Sequence, residues 1–293
     1  MEFTQEKAKI GFIGIGVMGK TMAENLLKAG YQVTICDRDK AKAEELVEQG
    51  AVWQECVRDI ASENNLIITV LADPKDVEEV YFGTEGIFNY AAPGTYLIDM
   101  TTSTPLLAKR IYNGAHAKGL FALDAPVSSV NTGAKDAKLS IMVGGDQTVF
   151  DAVKPILNVM GTNIVLQGGA GAGQNTKMCS QITMASTMIG VVEAMGYAEK
   201  AGLDPDKVLQ SIESGAAGSW FLSNYAPHMI AGNFTSGLNI KHFTKDIMIA
   251  LDTAEEMQME TPGLELAKSL YQILLSRGEQ NNGTQALYKL YQS

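Results

Sequence analysis

Cysteine, histidine and positive charge are scarce in this chain, and each shortage closes off a class of chemistry. The three cysteines, Cys36, Cys56 and Cys179, are odd in number and far apart. They give neither a disulfide framework nor the paired spacing of a zinc site. His116, His228 and His242 are too scattered to suggest a metal centre, so no metal is expected. No apolar run approaches the roughly 20 residues of a membrane-spanning helix. The N-terminal MEFTQEKAKI holds no apolar signal region, and the expectation is a cytoplasmic protein with no membrane partner. Lysine and arginine number 23 against 33 aspartates and glutamates, a net charge of −10. Such a surface repels phosphate, so no nucleic-acid partner is expected. The 46% hydrophobic and 19% charged content of 293 residues is that of a globular chain long enough for two domains.

What the sequence does have is KIGFIGIGVMGKTMAENLLKAGYQVTICDRD, Lys9 to Asp39. Ile10-Gly11-Phe12-Ile13 is short enough for a buried strand, and Gly14, Gly16 and Gly19 follow in G-x-G-x-x-G spacing. Met22, Leu26 and Leu27 recur at helical spacing, Ala29-Gly30 reads as a helix end, and a second strand closes at Asp37. Gly14 permits the tight turn, Gly16 lets a pyrophosphate approach the backbone, and Gly19 lets helix and strand pack. The helix start offers free N–H groups to the phosphates. The backbone through Gly14, Gly16, Val17, Met18 and Gly19 is therefore the expected cofactor cradle. Asp37 stands 18 residues beyond Gly19, near the position where an acid meets the ribose hydroxyls. That favours NAD, while the adjacent Arg38 keeps NADP open by offering a contact to a 2′-phosphate.

Short apolar runs then alternate with helical patterns, as in a parallel sheet covered on both faces. Strands are expected at Leu66–Leu71, Tyr96–Met100, Leu120–Val127, Leu139–Val143 and Ile164–Leu166, with helices at Lys40–Gln49 and Asp146–Met160. Ligands of such sheets sit beyond the carboxyl ends of the strands, which points the loops at 71–74 and 100–104 toward the cofactor. The alternation stops at the glycine run 168–173. From Gln174 to about Ala201 the pattern is one helix of roughly 40 Å, apolar round most of its circumference and so expected to be buried between domains or subunits. Helical patterns fill the remainder. The fold class expected is an α/β Rossmann domain, doubly wound and mostly parallel, over 1–167. An all-α domain follows over 168–293, joined to it by the long helix.

Lys177 lies near the start of that apolar helix. A cation in the first turn opposes the helix dipole, and dipole and burial together lower its pKa toward the range of acid/base work. Gln181 is on the same face one turn later, with Ser180 beside them. In Asp124-Ala125-Pro126-Val127-Ser128-Ser129, the Ser128 hydroxyl and the loop amides suit a carboxylate. Lys245-Asp246, taken alone, reads as a solvated charge pair.

These stretches resemble the β-hydroxyacid dehydrogenases, which include 3-hydroxyisobutyrate dehydrogenase and tartronate semialdehyde reductase. GFIGIGVMGKTMAENLLKAG is similar to the family's N-terminal signature and DAPVS to its substrate loop. GAGQNTK is similar to its catalytic-lysine motif, and KD at Lys245-Asp246 to its C-terminal one. The resemblance implies Lys177 as catalytic acid/base, Ser128 as a substrate contact and Lys245 near nicotinamide and substrate. It also implies that Leu71, Ala72 and Thr102 touch the cofactor. Ser129 and Gln181 join Ser128 as expected anchors of a small carboxylate substrate. Three positions depart from the family: Ser129-Val130 for Gly-Gly, Gln181 for Asn, and Ala137-Lys138-Leu139 for Gly-Thr-Leu. The expected activity is hydride transfer between NAD (or NADP) and a β-hydroxy acid or its semialdehyde. A γ-semialdehyde or imine reductase and a non-catalytic dinucleotide sensor are the alternatives. The apolar helix and the resemblance together suggest a homo-dimer or homo-tetramer.

Overall fold

A computed structural model of the protein describes residues 3–128, 137–235 and 237–292. The chain divides into two compact units, Met1–Lys177 and Met178–Ser293.

The first unit runs β1 (Lys9–Ile13), α1 (Val17–Lys28), β2 (Gln32–Cys36), a 3₁₀ turn (Lys40–Ala43) leading into α2 (Glu44–Glu48), and β3 (Val52–Trp53). Then come α3 (Val57–Glu63), β4 (Leu66–Thr69), α4 (Pro74–Phe82), α5 (Ile87–Tyr90), β5 (Tyr96–Asp99) and α6 (Pro105–Ala117). It closes with β6 (Phe121–Asp124), β7 (Val127–Ser128), β8 (Leu139–Gly144), α7 (Gln147–Leu157) and β9 (Gly161–Gly168). The described strands form one sheet in the order β3-β2-β1-β4-β5-β6-β8-β7, with β9 on β8. Its first six strands are parallel. That is the 3-2-1-4-5-6 order of doubly wound dinucleotide-binding sheets, and the order reverses between β1 and β4.

Strand side chains alternate between the two faces. Ile10, Phe12, Leu66, Ile68 and Ile98 join one apolar layer with Met22, Leu26 and Val153. Ile13, Ile67 and Leu97 join the other with Ile60, Val77, Tyr81 and Ile111. Both faces are covered, which is why these strands read as continuous apolar runs. Helix starts are marked locally. Pro74 and Pro105 occupy first turns, with Asp73 accepting from the amides of Lys75 and Asp76 and Thr104 accepting from Leu107.

The structure departs from the sequence expectation in four places. β3 is a two-residue edge strand, too short to show a period. The expected strand Leu120–Val127 breaks at Ala125-Pro126, since proline has no N–H to donate, and resumes as β7 antiparallel to β8. β9 spans Gly161–Gly168 rather than three residues because it pairs along the whole of β8. The expected Lys40–Gln49 helix is a 3₁₀ turn followed by a short α-helix.

The second unit holds most of α8 (Ala172–Lys200), then α9 (Pro205–Ile212), α10 (Trp220–Ile230), α11 (Ile240–Glu256), α12 (Pro262–Ser276) and a 3₁₀ helix over Thr284–Leu290. Met188, Val192 and Met195 of α8 pack with Leu222, Met229, Phe243, Ile247, Tyr271 and Tyr288. Within the single chain, α8 leaves a stripe at Thr183, Ser186, Gly190, Glu193 and Tyr197 exposed. Their spacing of three and four residues is one face of a helix.

Candidate active site

The dinucleotide cradle follows from what each glycine's neighbours forbid. Gly14 has φ +94°, and its N–H donates to the Cys36 carbonyl at 2.9 Å. A Cβ there would strike the Val70 carbonyl and the Leu71 side chain, and one at Gly19 would strike the Gly14 carbonyl. At Gly16 the opposite holds, for a Cβ would meet nothing within 4 Å. The space over Gly16 is open backbone at the N-terminus of α1, where no side chain caps the helix and Val17 stands fully out from the surface. Those are the requirements of a phosphate-binding turn.

Asp37 stands where β2 ends. Its Oδ2 accepts from the Ile15 amide at 2.9 Å, and its Oδ1 from the Asp39 amide at 3.0 Å and Lys42 Nζ at 3.2 Å. Burial works against its ionisation, yet the Asp39 and Ile15 amides and the Lys42 ammonium hold its pKa below the ordinary value. Arg38, beside it, is turned to Asp76 on α4 with bonds of 3.0 and 3.3 Å. The Leu71 amide donates to Thr101 Oγ1 at 2.8 Å, tying together the loops that follow β4 and β5. Ala72 is exposed in the first of these loops and Thr102 half-buried in the second.

Beneath the loops are two buried carboxylates that the sequence did not mark as important. Asp99 accepts from Thr69 Oγ1 at 2.8 Å and the Thr101 amide at 3.3 Å, and burial pushes its pKa up to about 7. Asp124 accepts from the amides of Gly171 at 2.7 Å and Gln174 at 2.9 Å. Burial pushes its pKa up, and those amides pull it part of the way back. Asp124 thus caps α8 from a strand 50 residues away. Gln174 completes the junction by accepting from the Ser103 amide at 2.9 Å and donating to the Thr101 carbonyl at 2.6 Å.

With this cap α8 starts at Ala172, so Lys177 lies in its second turn rather than the first. The dipole argument made from the sequence is weakened accordingly, because the effect fades within one turn. The lysine's ammonium does not reach into open solvent. Lys177 is 6% exposed and donates from Nζ to the Val127 carbonyl at 3.0 Å. Val127 precedes Ser128 in β7, so the lysine is held at the backbone beside that serine. Ser129, the other serine expected to bind substrate, lies outside the described residues with Val130. Ser180 turns along its helix to Met184 Sδ at 3.7 Å.

In the second unit, Gln181 is completely buried and donates through Nε2 to Asp246 Oδ2. Lys245 Nζ lies 3.2 Å from Asp246 Oδ1. Asp246 is 5% exposed, so the pair is no solvated surface pair. The Asn239 side chain accepts from the His242 amide at 2.8 Å and fixes the start of α11, placing Lys245 and Asp246 in its second turn.

Residues 9–169 match the family model described as the NAD-binding domain of 6-phosphogluconate dehydrogenase. Residues 171–291 match the model for the NAD-binding region of NADP-dependent 3-hydroxyisobutyrate dehydrogenase. The chain is 37% identical to 2-hydroxy-3-oxopropionate reductase of Escherichia coli, over 92% of each chain. It belongs to the β-hydroxyacid dehydrogenase family. This β-hydroxyacid dehydrogenase is 56% identical to the uncharacterized oxidoreductase YkwC of Bacillus subtilis, over 97% of its own length and 99% of that protein's. It matches the structure of Mycobacterium tuberculosis 3-hydroxyisobutyrate dehydrogenase solved with L-serine. That match has a TM-score of 0.91 and 27% identity, and covers 98% and 99% of the two chains. The protein is therefore an NAD(P)-dependent oxidoreductase of the hydroxy-acid and semialdehyde class. No helix among the described residues is long and apolar enough to cross a membrane. No cluster of metal-ligating side chains occurs among them either.

Proposed function

We propose that this dehydrogenase interconverts a small β-hydroxy acid and its semialdehyde, with Lys177 as general acid and base. The supporting observation is the Lys177 side chain, buried near the start of α8 and held by the Val127 carbonyl next to Ser128. The open backbone at Gly16 and the tethered Asp37 carboxylate suit a dinucleotide, with Val17, Met18, Leu71, Ala72 and Thr102 as its further contacts. Its nicotinamide ring, when bound, supplies or takes the hydride. In oxidation, neutral Lys177 takes the proton of the substrate hydroxyl. In reduction, its ammonium returns that proton and opposes the negative charge growing on oxygen. The Val127 carbonyl accepts one N–H in either protonation state, so the nitrogen keeps its place through the cycle. Ser128, with the Ser129 backbone, takes the substrate carboxylate, and Lys245 adds a second cation. NAD is the preferred cofactor, since an ionised Asp37 repels a 2′-phosphate and Arg38 is engaged by Asp76.

Purified protein is assayed for NADH and NADPH oxidation with C3–C5 aldehyde acids. In Lys177→Ala, kcat falls by about 10²- to 10⁴-fold while calorimetric dinucleotide affinity stays within a few-fold. Turnover in that variant comparable to the native enzyme would remove Lys177 from the mechanism. The enzyme is further proposed to be cytoplasmic and to assemble as a homo-dimer or homo-tetramer, a point decided by light scattering against the 31.4 kDa chain mass.

A further inference from the structure

Where β4 gives way to its loop, the Val70 N–H still donates to a strand, the Ile13 carbonyl, at 2.9 Å. The next amide, that of Leu71, goes instead to a side chain, Thr101 Oγ1, at 2.8 Å. Thr101 is 3% exposed and fixed by its own backbone as well. Its N–H donates to Asp99 Oδ1 at 3.3 Å, and its carbonyl accepts from Gln174 Nε2 at 2.6 Å. The Thr101 hydroxyl hydrogen also goes to the Asp99 carboxylate. A hydroxyl has one hydrogen and two lone pairs, so with its hydrogen on Asp99 the oxygen is left to accept from Leu71.

A second chain of bonds ends on the same carboxylate. Thr69 Oγ1 donates to Asp99 Oδ1 at 2.8 Å, so in its 3.1 Å bond with the buried Tyr81 hydroxyl Thr69 accepts. Tyr81 belongs to α4, which begins three residues after Leu71. Asp99 therefore anchors both sides of the loop at 71–73, its start through Thr101 and the helix beyond it through Thr69 and Tyr81. The Leu71 side chain in turn lies against the cradle, with Cδ2 3.0 Å from where a Cβ on Gly14 would stand. None of these four polar side chains takes part in the proposed chemistry. We propose that Asp99 and Thr101 are positioning residues for the dinucleotide, holding the Leu71 amide so that the loop at 71–72 stands at its working distance from the Gly14 turn. The inference rests on the reading that Leu71 and Ala72 touch the cofactor.

Thr101→Val keeps the shape of the side chain and removes the hydroxyl, so the Leu71 amide must turn toward water and carry the loop with it. The calorimetric Kd for NADH should rise by about 5- to 20-fold, the scale of one lost part-buried hydrogen bond. Deuterium exchange at the Leu71 amide should quicken. The KM for the aldehyde acid, measured at saturating NADH, should stay within about twofold, because Lys177 and Ser128 are untouched. Thr101→Ser keeps the hydroxyl and should return Kd to within about twofold of native. Tyr81→Phe cuts the other chain of bonds and should raise Kd by about 2- to 5-fold. Affinities are measured well below each melting point, where nearly every molecule is folded, so lost stability alone leaves Kd unmoved.

Native-like NADH affinity in Thr101→Val overturns the inference. If Leu71 exchange is nevertheless faster, the fault lies in the reading that this loop touches the cofactor; if exchange is native too, it lies in the chain of bonds. A Thr101→Ser variant as weak as Thr101→Val also overturns it, since the hydroxyl would then not be the group that matters. So does a rise in the acid's KM to match the rise in Kd, which would mean a disturbance spread beyond the loop. Failure of the native protein to bind NADH or NADPH overturns the dinucleotide reading itself and this inference with it. If Thr101→Val does not fold, Tyr81→Phe decides, and a native-like Kd there overturns the inference.

Discussion

Neighbouring side chains of opposite charge, Asp37 and Arg38, are held by different partners, and that difference underlies the proposed preference for NAD. Asp37 is fixed by two backbone amides and Lys42, whereas Arg38 is largely exposed and held by Asp76. Read as sequence, the pair left NAD and NADP both open, because nothing local shows that Asp76, 38 residues on, takes up the guanidinium. Asp76→Ala releases Arg38 toward a 2′-phosphate. The expected result is a gain of about 2- to 5-fold in kcat/KM for NADPH, the scale of an exposed ion pair, with the melting point almost unmoved. Asp37 remains in place, so NADH should stay the better substrate. An unchanged NADPH rate would show that Arg38 does not reach the phosphate even when free.

Among the elements, the turn from β1 into α1 was the most legible, because its constraints are local. Gly14 and Gly16 nevertheless do different jobs, and substitution separates them. Gly14→Ala forces a side chain into a left-handed backbone and against the Val70 carbonyl, and should cost roughly 1–3 kcal/mol of stability or more. Gly16→Ala places its methyl group in open space, so the melting point should hold. Dinucleotide affinity should drop by at least about tenfold, roughly 1.4 kcal/mol. Native-like calorimetric affinity in Gly16→Ala would mean that the pyrophosphate does not pass over that backbone. The start of α8 was legible only in part. The apolar period announced a helix, while the two units divide at Lys177, inside α8, and not at the glycine run. The cap came from Asp124 and Gln174, whose partners lie 47 to 73 residues away. That cap moved the helix start and with it the place of Lys177.

For the molecule as a whole, the buried carboxylates tie stability to pH. Asp99 has a folded-state pKa of about 7 against an ordinary value near 3.8. Between those values the folded protein keeps a proton that the unfolded chain has lost. Stability therefore falls as pH rises through that window, by up to about 1.4 kcal/mol per pH unit, and levels off above it. Asp124, also raised, acts in the same direction, while the lowered Asp37 contributes stability that is lost only in acid below the ordinary carboxylate range. Asp99→Asn leaves Thr69 an acceptor and removes the charge. Its melting point should gain on the native protein from about pH 4 to about pH 7 and level off above that, and a constant difference across the window would exclude Asp99 as the source.

The sequence by itself determined the strand-turn-helix cradle, the parallel doubly wound first unit, the helical second unit and the lysine on the apolar helix. Each depends on periodicity, turn chemistry or spacing within a few dozen residues. The tertiary structure decided what Arg38 holds, where α8 begins, and which way the Gln181 amide faces. Those outcomes are set by a few hydrogen bonds to residues 38 to 73 positions away. No local pattern encodes such a bond, because a side chain's partner is chosen only once folding has brought distant strands and helices together.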